Sequence, residues 1–331
     1  MIYKNIDLHN VAELVELDSR VRWLRVPERV LEAMETEGGK NACRNATGVE
    51  LRFVMLSDEV KLRIRTVNPK GTVAVNLYFG GMQGGWQHYG EGGYFNGESE
   101  IVIQRPSNME MIKRMSKDSG YNWSADVVRV MFRGLFELVE IEGEVRPPEK
   151  SELPSKTLLT YGSSITHGSN SLAPSCTWAS VLAHDLGVDL INLGMPGSCR
   201  MEPELVDYIA SLEWDAALME LGINVLPWDE DMIRQRVGNA LTQVAGRNPR
   251  RKVYVMSPIF CHNDYQGKGD AKRWREVIEA VVKEMAYPNV EYVNGLDIMG
   301  DVSGLSADEV HPNVYGIQRI AAKLIERIGA I

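Results

Sequence analysis

The 331-residue sequence predicts an α/β protein: an all-β sandwich over residues 1–148, a connector over 149–156, and a five-stranded parallel sheet layered with helices over 157–331. Three observations carry this expectation. Short apolar runs with period-two alternation fill the first part, a stretch rich in proline and charge follows it, and strand-like runs then alternate with segments of helical spacing.

In the first part, strands are expected at 13–17, 22–26, 49–56, 61–67, 72–79, 100–104, 126–132 and 135–141. In Lys61-Leu62-Arg63-Ile64-Arg65 every second residue is apolar, as required where one face of a strand meets a core and the other meets water. Asn68-Pro69-Lys70-Gly71 reads as a turn between two such runs, and this rhythm of short strands suits a sandwich. Residues 27–37 and 108–117 read as short helices. The segment 80–90 is rich in glycine and aromatics, including Trp86 and Tyr89; it reads either as a sugar-binding face or as a long solvated hairpin.

Arg146-Pro147-Pro148-Glu149-Lys150-Ser151-Glu152-Leu153-Pro154 has the composition of an extended connector. Beyond it, strands are expected at 157–161, 188–193, 215–221, 252–257 and 290–294. Helical spacing marks 177–186, 203–212, 231–244 and 271–285, and a last helix carries Ile317, Ile320, Ala321, Leu324, Ile325 and Ile328 on one face. Strands joined by helical crossovers form a parallel sheet covered on both faces.

Composition narrows the function classes. With 44% hydrophobic residues the chain can bury a full core without disulfides or metals. A net charge of −9 and the lack of a Lys/Arg run argue against nucleic acid or an anionic membrane as partner. Acidic residues interrupt the N-terminal stretch where an export signal would be apolar, so a cytoplasmic setting is expected. Cys43, Cys176, Cys199 and Cys261 show no metal-ligand spacing, and neither a metal nor a cofactor is expected.

In sheets of this kind ligands bind beyond the carboxyl ends of the strands. Those positions are chemically distinctive here: Gly162-Ser163-Ser164-Ile165-Thr166-His167 after the first strand, Gly194-Met195-Pro196-Gly197 after the second, Gly222-Ile223-Asn224 after the third, and Asp308-Glu309-Val310-His311 after the fifth. A serine hydroxyl becomes a useful nucleophile when a base takes its proton. Of the six histidines, His311 alone has an acid, Asp308, three residues before it, and Pro312 holds the histidine in an extended backbone.

These four segments, in this order, resemble the blocks of the SGNH (GDSL-type) hydrolases, over roughly residues 157–331, with Ser163 standing where the family has aspartate. The resemblance implies a flavodoxin-like fold and a triad of nucleophile Ser164, Asp308 and His311. It also implies an oxyanion hole built from Ser164, Gly194 and the Asn224 amide. His167 is read as either touching substrate or bracing the turn. Phe260 and His262 are read as facing the same rim, and Trp228 as a wall of the pocket.

The chain is also similar to bacterial esterases that carry an N-terminal jelly-roll-like domain, several of which deacetylate sugars. The implied activity is hydrolysis of short-chain, acetyl-type esters, with an acylated sugar as a candidate small-molecule partner. Acyl transfer to a sugar or natural-product hydroxyl uses the same chemistry, and an inactive carbohydrate-binding protein is the rival of another class.

Overall fold

The computed structural model describes residues 1–68, 73–84, 93–267 and 269–331. Most of the turn predicted at 68–71, Thr72, and Trp86 and Tyr89 of the glycine-rich segment lie outside the described residues.

Among the described residues the first part forms two antiparallel sheets. One runs Ile2–Tyr3, Ile6–His9, Glu50–Met55, Val127–Arg133, Val73–Phe79, Met82–Gln83; the other runs Glu98–Gln104, Glu59–Thr66, Phe136–Glu142, Arg20–Leu24, Glu13–Leu17. The alternation read at 61–65 is realised: Val60, Leu62 and Ile64 are buried while Lys61 and Arg63 reach toward water. Between the sheets, Trp23 packs edge-on against Phe136 at 4.2 Å between ring centroids, and Phe136 stacks on Phe132 at 4.3 Å.

The second part is a parallel sheet in the order Asp189–Gly194, Thr157–Gly162, Ala216–Glu220, Lys252–Met256, Val290–Val293. The first four of these strands are almost wholly buried because helices cover both faces, while the edge strand Val290–Val293 is mostly half-buried. Trp178–Leu186 and Val314–Ile328 lie on one face, where Trp178, Leu182, Ile320 and Leu324 share a core; Pro203–Ser211, Glu230–Leu241 and Asp270–Met285 lie on the other. The strand order reverses direction at Thr157–Gly162, which opens a crevice at its carboxyl end. No helix among the described residues is long and apolar enough to cross a membrane.

Two differences from the sequence reading concern how the halves join. The helix expected at 27–37 is two helices, Glu28–Ala33 and Glu37–Arg44. Their Val30, Leu31, Ala42 and Cys43 enter the same core as Tyr161 and Leu193 of the parallel sheet, so this part of the N-terminal half serves the C-terminal one. The expected extended connector contains a short 3-10 turn, Lys150–Glu152, held by a two-point ion pair from Arg146 to Glu152 at 2.7 and 2.8 Å.

Buried polar contacts then fix the strand Asp189–Gly194 against the sandwich side. The wholly buried Arg25 donates to the carbonyls of Asn192 at 2.8 Å and Gly194 at 3.0 Å, and Asn10 donates to the Asn192 carbonyl at 3.0 Å. Arg52 reaches Asp189 with both terminal nitrogens. A strand end tied down in this way is a rigid platform for the loop that follows it.

Candidate active site

The turn after Thr157–Gly162 is tight enough to demand glycine: a Cβ on Gly162 would come within 2.2 Å of Thr166 Oγ1 and 2.7 Å of Glu220 Oε2. Ser163 caps the short helix Ser164–His167 by accepting from the Ile165 amide at 3.1 Å. Ser164 is therefore the first helical residue, with its side chain at the mouth of the crevice and its amide among those that have no partner inside the helix.

The loop bearing the predicted acid and base is held by its own aspartate. Asp308 Oδ1 accepts from the amides of Val310 at 3.1 Å and His311 at 2.8 Å, and Glu309 takes the left-handed conformation at φ 66°. His311 then donates through Nδ1 to Asp308 Oδ2 at 2.9 Å, while Ser164 Oγ donates to His311 Nε2 at 2.7 Å. Desolvation works against the ionised Asp308, but the two amides and the imidazole outweigh it and hold the carboxyl well below the usual range. Residues 147 positions apart along the chain are thus joined in one hydrogen-bonded relay.

Ser164 and His311 line a cleft of about 390 Å³ together with Ser169, Pro196, Gly197, Ile223, Asn224, Leu226, His262 and Val310. Asn224 Oδ1 accepts from the Cys199 amide at 3.0 Å, which fixes the side-chain plane and leaves Nδ2 as its donor. His262 lines this cleft, and its amide donates to the Glu309 carbonyl at 2.8 Å, tying its helix to the histidine loop.

Three expectations need correction. Gly194 is buried, its amide donates to Asn192 Oδ1 at 2.8 Å, and a Cβ there would strike the His167 backbone nitrogen at 2.3 Å. It packs the turn from behind, whereas the exposed Gly197, three residues on, is the glycine that lines the cleft. Trp228 does not line the cleft; it packs beside the helical core with the guanidinium groups of Arg200 and Arg236 each 5.7 Å from its ring, and Leu226 takes the wall position instead. Phe260 shares a neighbouring groove with His262, Tyr265 and Leu305 and does not line the Ser164 cleft.

His167 turns away from Ser164. Its Nδ1 lies 3.5 Å from Thr47 Oγ1, and burial, with Arg25 and Arg133 nearby, holds its pKa well below the ordinary histidine value.

Two contributors escaped the sequence reading. Glu220, wholly buried at the end of the third parallel strand, accepts from the Ser163 amide at 2.7 Å, the Ser163 hydroxyl at 2.7 Å and the Thr166 hydroxyl at 3.1 Å, all on Oε2. Burial raises its carboxyl above the usual range despite those bonds. Its signal was a lone acid ending an apolar strand, Ala216-Ala217-Leu218-Met219-Glu220. Asn170 donates to Asp308 Oδ2 at 3.3 Å and to Ser306 Oγ at 2.8 Å; nothing in its sequence setting marks it.

A serine, an imidazole and a carboxylate converging at the switch point of a parallel sheet define the class: an α/β fold of the serine-hydrolase kind. The chain belongs to the GDSL-like lipase/acylhydrolase family, whose pattern matches residues 155–329, more than half of the sequence, and by that membership it is a hydrolase of ester bonds.

Among solved structures, the chain is similar to the salicylyl-acyltransferase SsfX3 from a tetracycline biosynthetic pathway, at 17% identity and a TM-score of 0.80, covering 98% of this chain and 94% of that one. A protein described as a GDSL-like lipase from Bacteroides ovatus ATCC 8483 is similar at 18% identity and a TM-score of 0.70, covering 98% and 95%. An acetyl xylan esterase from the rumen bacterium Butyrivibrio proteoclasticus is similar at 13% identity and a TM-score of 0.56, covering 86% and 91%. No curated protein matches the sequence.

Proposed function

We propose that the protein hydrolyses short-chain esters, acetyl esters foremost, of a carbohydrate or similar small alcohol through an acyl-enzyme on Ser164. The observation that carries this reading is the relay from Ser164 Oγ to His311 Nε2 at 2.7 Å and from His311 Nδ1 to Asp308 Oδ2 at 2.9 Å, opening into a cleft.

His311 Nε2 takes the hydroxyl proton as the serine oxygen attacks the ester carbonyl. The negative charge on the former carbonyl oxygen meets three donors: the amides of Ser164 and Gly197 and the Nδ2 of Asn224. Collapse breaks the bond to the alcohol oxygen, which leaves with the proton held by His311. Water then attacks the acyl group, His311 taking one of its protons and returning it to Ser164 Oγ. The products are the carboxylic acid and the free serine. Asp308 keeps the imidazole in the tautomer whose Nε2 can accept.

Ile223 and Leu226 beside the oxyanion donors suit a small apolar acyl group. The sugar alcohol is supported by the fold neighbours named as carbohydrate esterases, one from Cellvibrio japonicus and one an acetyl xylan esterase. A cytoplasmic setting is part of this reading, supported by four free thiols, three of them buried.

Acyl transfer is the second reading, favoured by the likeness to SsfX3 along nearly the whole chain. Incubation with acetylated mono- and oligosaccharides, in water alone and with competing alcohols, separates the two: free acetate supports hydrolysis, and a new ester supports transfer. Failure to turn over p-nitrophenyl acetate, together with no labelling by a fluorophosphonate, would remove both and leave a binding protein.

A further inference from the structure

A second cleft, of about 560 Å³, adjoins the first: both are lined by Ser169, and Asn170 on the second cleft also contacts Asp308. One wall comes from the parallel-sheet side through His167, Gly168 and Ser171; the other comes from the sandwich through Asn45, Tyr94 and Arg133.

Arg133 is the feature that calls for a ligand. It ends the strand Val127–Arg133 and lies half-buried. Its Nη1 donates to the Gly168 carbonyl at 2.9 Å and to Ser171 Oγ, while Nη2 and Nε donate to no described group. Burial lowers its pKa, and the described groups that oppose this are Tyr94 and Cys176, neither of them a carboxylate. His167 adds no second positive charge, since burial and the neighbouring arginines keep it neutral. A protein of net charge −9 therefore holds one guanidinium, without a described counter-ion, in the wall of a cleft beside the nucleophile.

We propose that Arg133 receives an oxyanion group, carboxylate or phosphate, on the alcohol portion of the substrate. The inference rests on the esterase reading above for its orientation: the acyl group lies by Ile223 and Leu226, and the alcohol extends past Ser169 into the second cleft. A planar guanidinium with one edge free matches a carboxylate or phosphate at two points, which a neutral hydroxyl cannot do. Such an anion would also supply the charge partner that this partly desolvated arginine lacks among the described residues. Arg133 is in this account a specificity-determining residue.

The test uses glucose, glucuronate and glucose 6-phosphate as competitive inhibitors of p-nitrophenyl acetate hydrolysis at low salt. The expected result is inhibition by at least one anion about tenfold tighter than by glucose, with the better anion telling carboxylate from phosphate, and collapse of that ratio toward one in Arg133→Gln. A structural role alone would change all three inhibition constants together and leave the ratio intact. Equal inhibition by the three sugars, or a ratio that survives in Arg133→Gln, would overturn the proposal. Should p-nitrophenyl acetate not be turned over at all, the esterase reading fails separately; calorimetric titration of the same three probes then reads anion binding at Arg133 directly.

Discussion

Arg52 of the sandwich grips Asp189 of the parallel sheet at two points, Nη1 to Oδ2 at 2.8 Å and Nη2 to Oδ1 at 2.6 Å, and its Nε donates to Glu50 at 2.8 Å. Arg129 grips both oxygens of Glu50, Nε to Oε2 at 2.8 Å and Nη2 to Oε1 at 2.6 Å, and the Trp123 ring lies 3.8 Å from the Arg129 guanidinium and 4.8 Å from that of Arg52. Breaking a buried pair strands the surviving charge, so Arg52→Ala is expected to cost about 3–5 kcal/mol in chemical denaturation. A loss within about 1 kcal/mol would show the network to be dispensable.

The same network sets an acid limit. Desolvation would raise the Asp189 and Glu50 carboxyls, but Arg52 with His9 for Asp189, and Arg129 with Arg52 for Glu50, outweigh it and hold both below the usual range. Carboxyls depressed in the folded state contribute stability that is complete above the unfolded value, about 4, and is lost as pH falls through the folded values. The melting temperature is expected to fall more steeply below about pH 4 in the wild type than in Arg52→Met, and parallel curves would contradict this.

Glu220 supports the serine turn from beneath. Glu220→Ala leaves the Ser163 amide, the Ser163 hydroxyl and the Thr166 hydroxyl as buried donors without an acceptor, at about 1–3 kcal/mol for each group left unpaired. Glu220→Gln keeps an acceptor oxygen in place. Chemical denaturation is expected to show the Ala variant less stable than the Gln variant by more than about 2 kcal/mol, with a lower kcat; equal stability would remove this role.

Asp308→Asn offers a test of the tautomer. An asparagine can still accept the Val310 and His311 amides through Oδ1, but its Nδ2 then faces His311 Nδ1, and the ring must turn its lone pair there and its hydrogen toward Ser164. The expected result is a folded protein with kcat reduced by about 100-fold to 10,000-fold. Retention of more than a tenth of the activity would mean that Asp308 serves only to shape the loop.

Asn224→Ala should reduce kcat by about 100-fold to 1,000-fold with KM little changed, since its amide is assigned to charge that exists only in the transition state. A rise in KM at constant kcat would instead make Asn224 a ground-state contact.

The convergence of Ser164, Asp308 and His311 was legible because these residues sit in short local patterns, a Gly-x-Ser after a strand and an Asp-x-x-His before a proline, and each pattern carries its own geometry. The glycine that lines the cleft was not. Gly194 ends the strand and Gly197 lies on the loop just after it, and the difference between them lies in a side chain, Asn192, that engages the Gly194 amide. The helix Glu37–Arg44 escaped notice because Gly38 and Gly39 are poor helix formers; it is held by the Thr36 cap, which accepts from the Gly39 amide at 3.0 Å, and by Ala42 and Cys43 packed in the core. Trp228 was placed in the pocket by its nearness in sequence to Asn224, yet the two arginines beside its ring depend on contacts that sequence spacing does not encode.

Chemical labelling reads directly which oxygen attacks. Reaction with a fluorophosphonate followed by mass analysis of the digested protein should find one adduct, on Ser164, and the adduct should be lost in Ser164→Ala and strongly slowed in His311→Ala. An adduct on Ser163, or turnover of p-nitrophenyl acetate that persists undiminished in Ser164→Ala, would contradict the account.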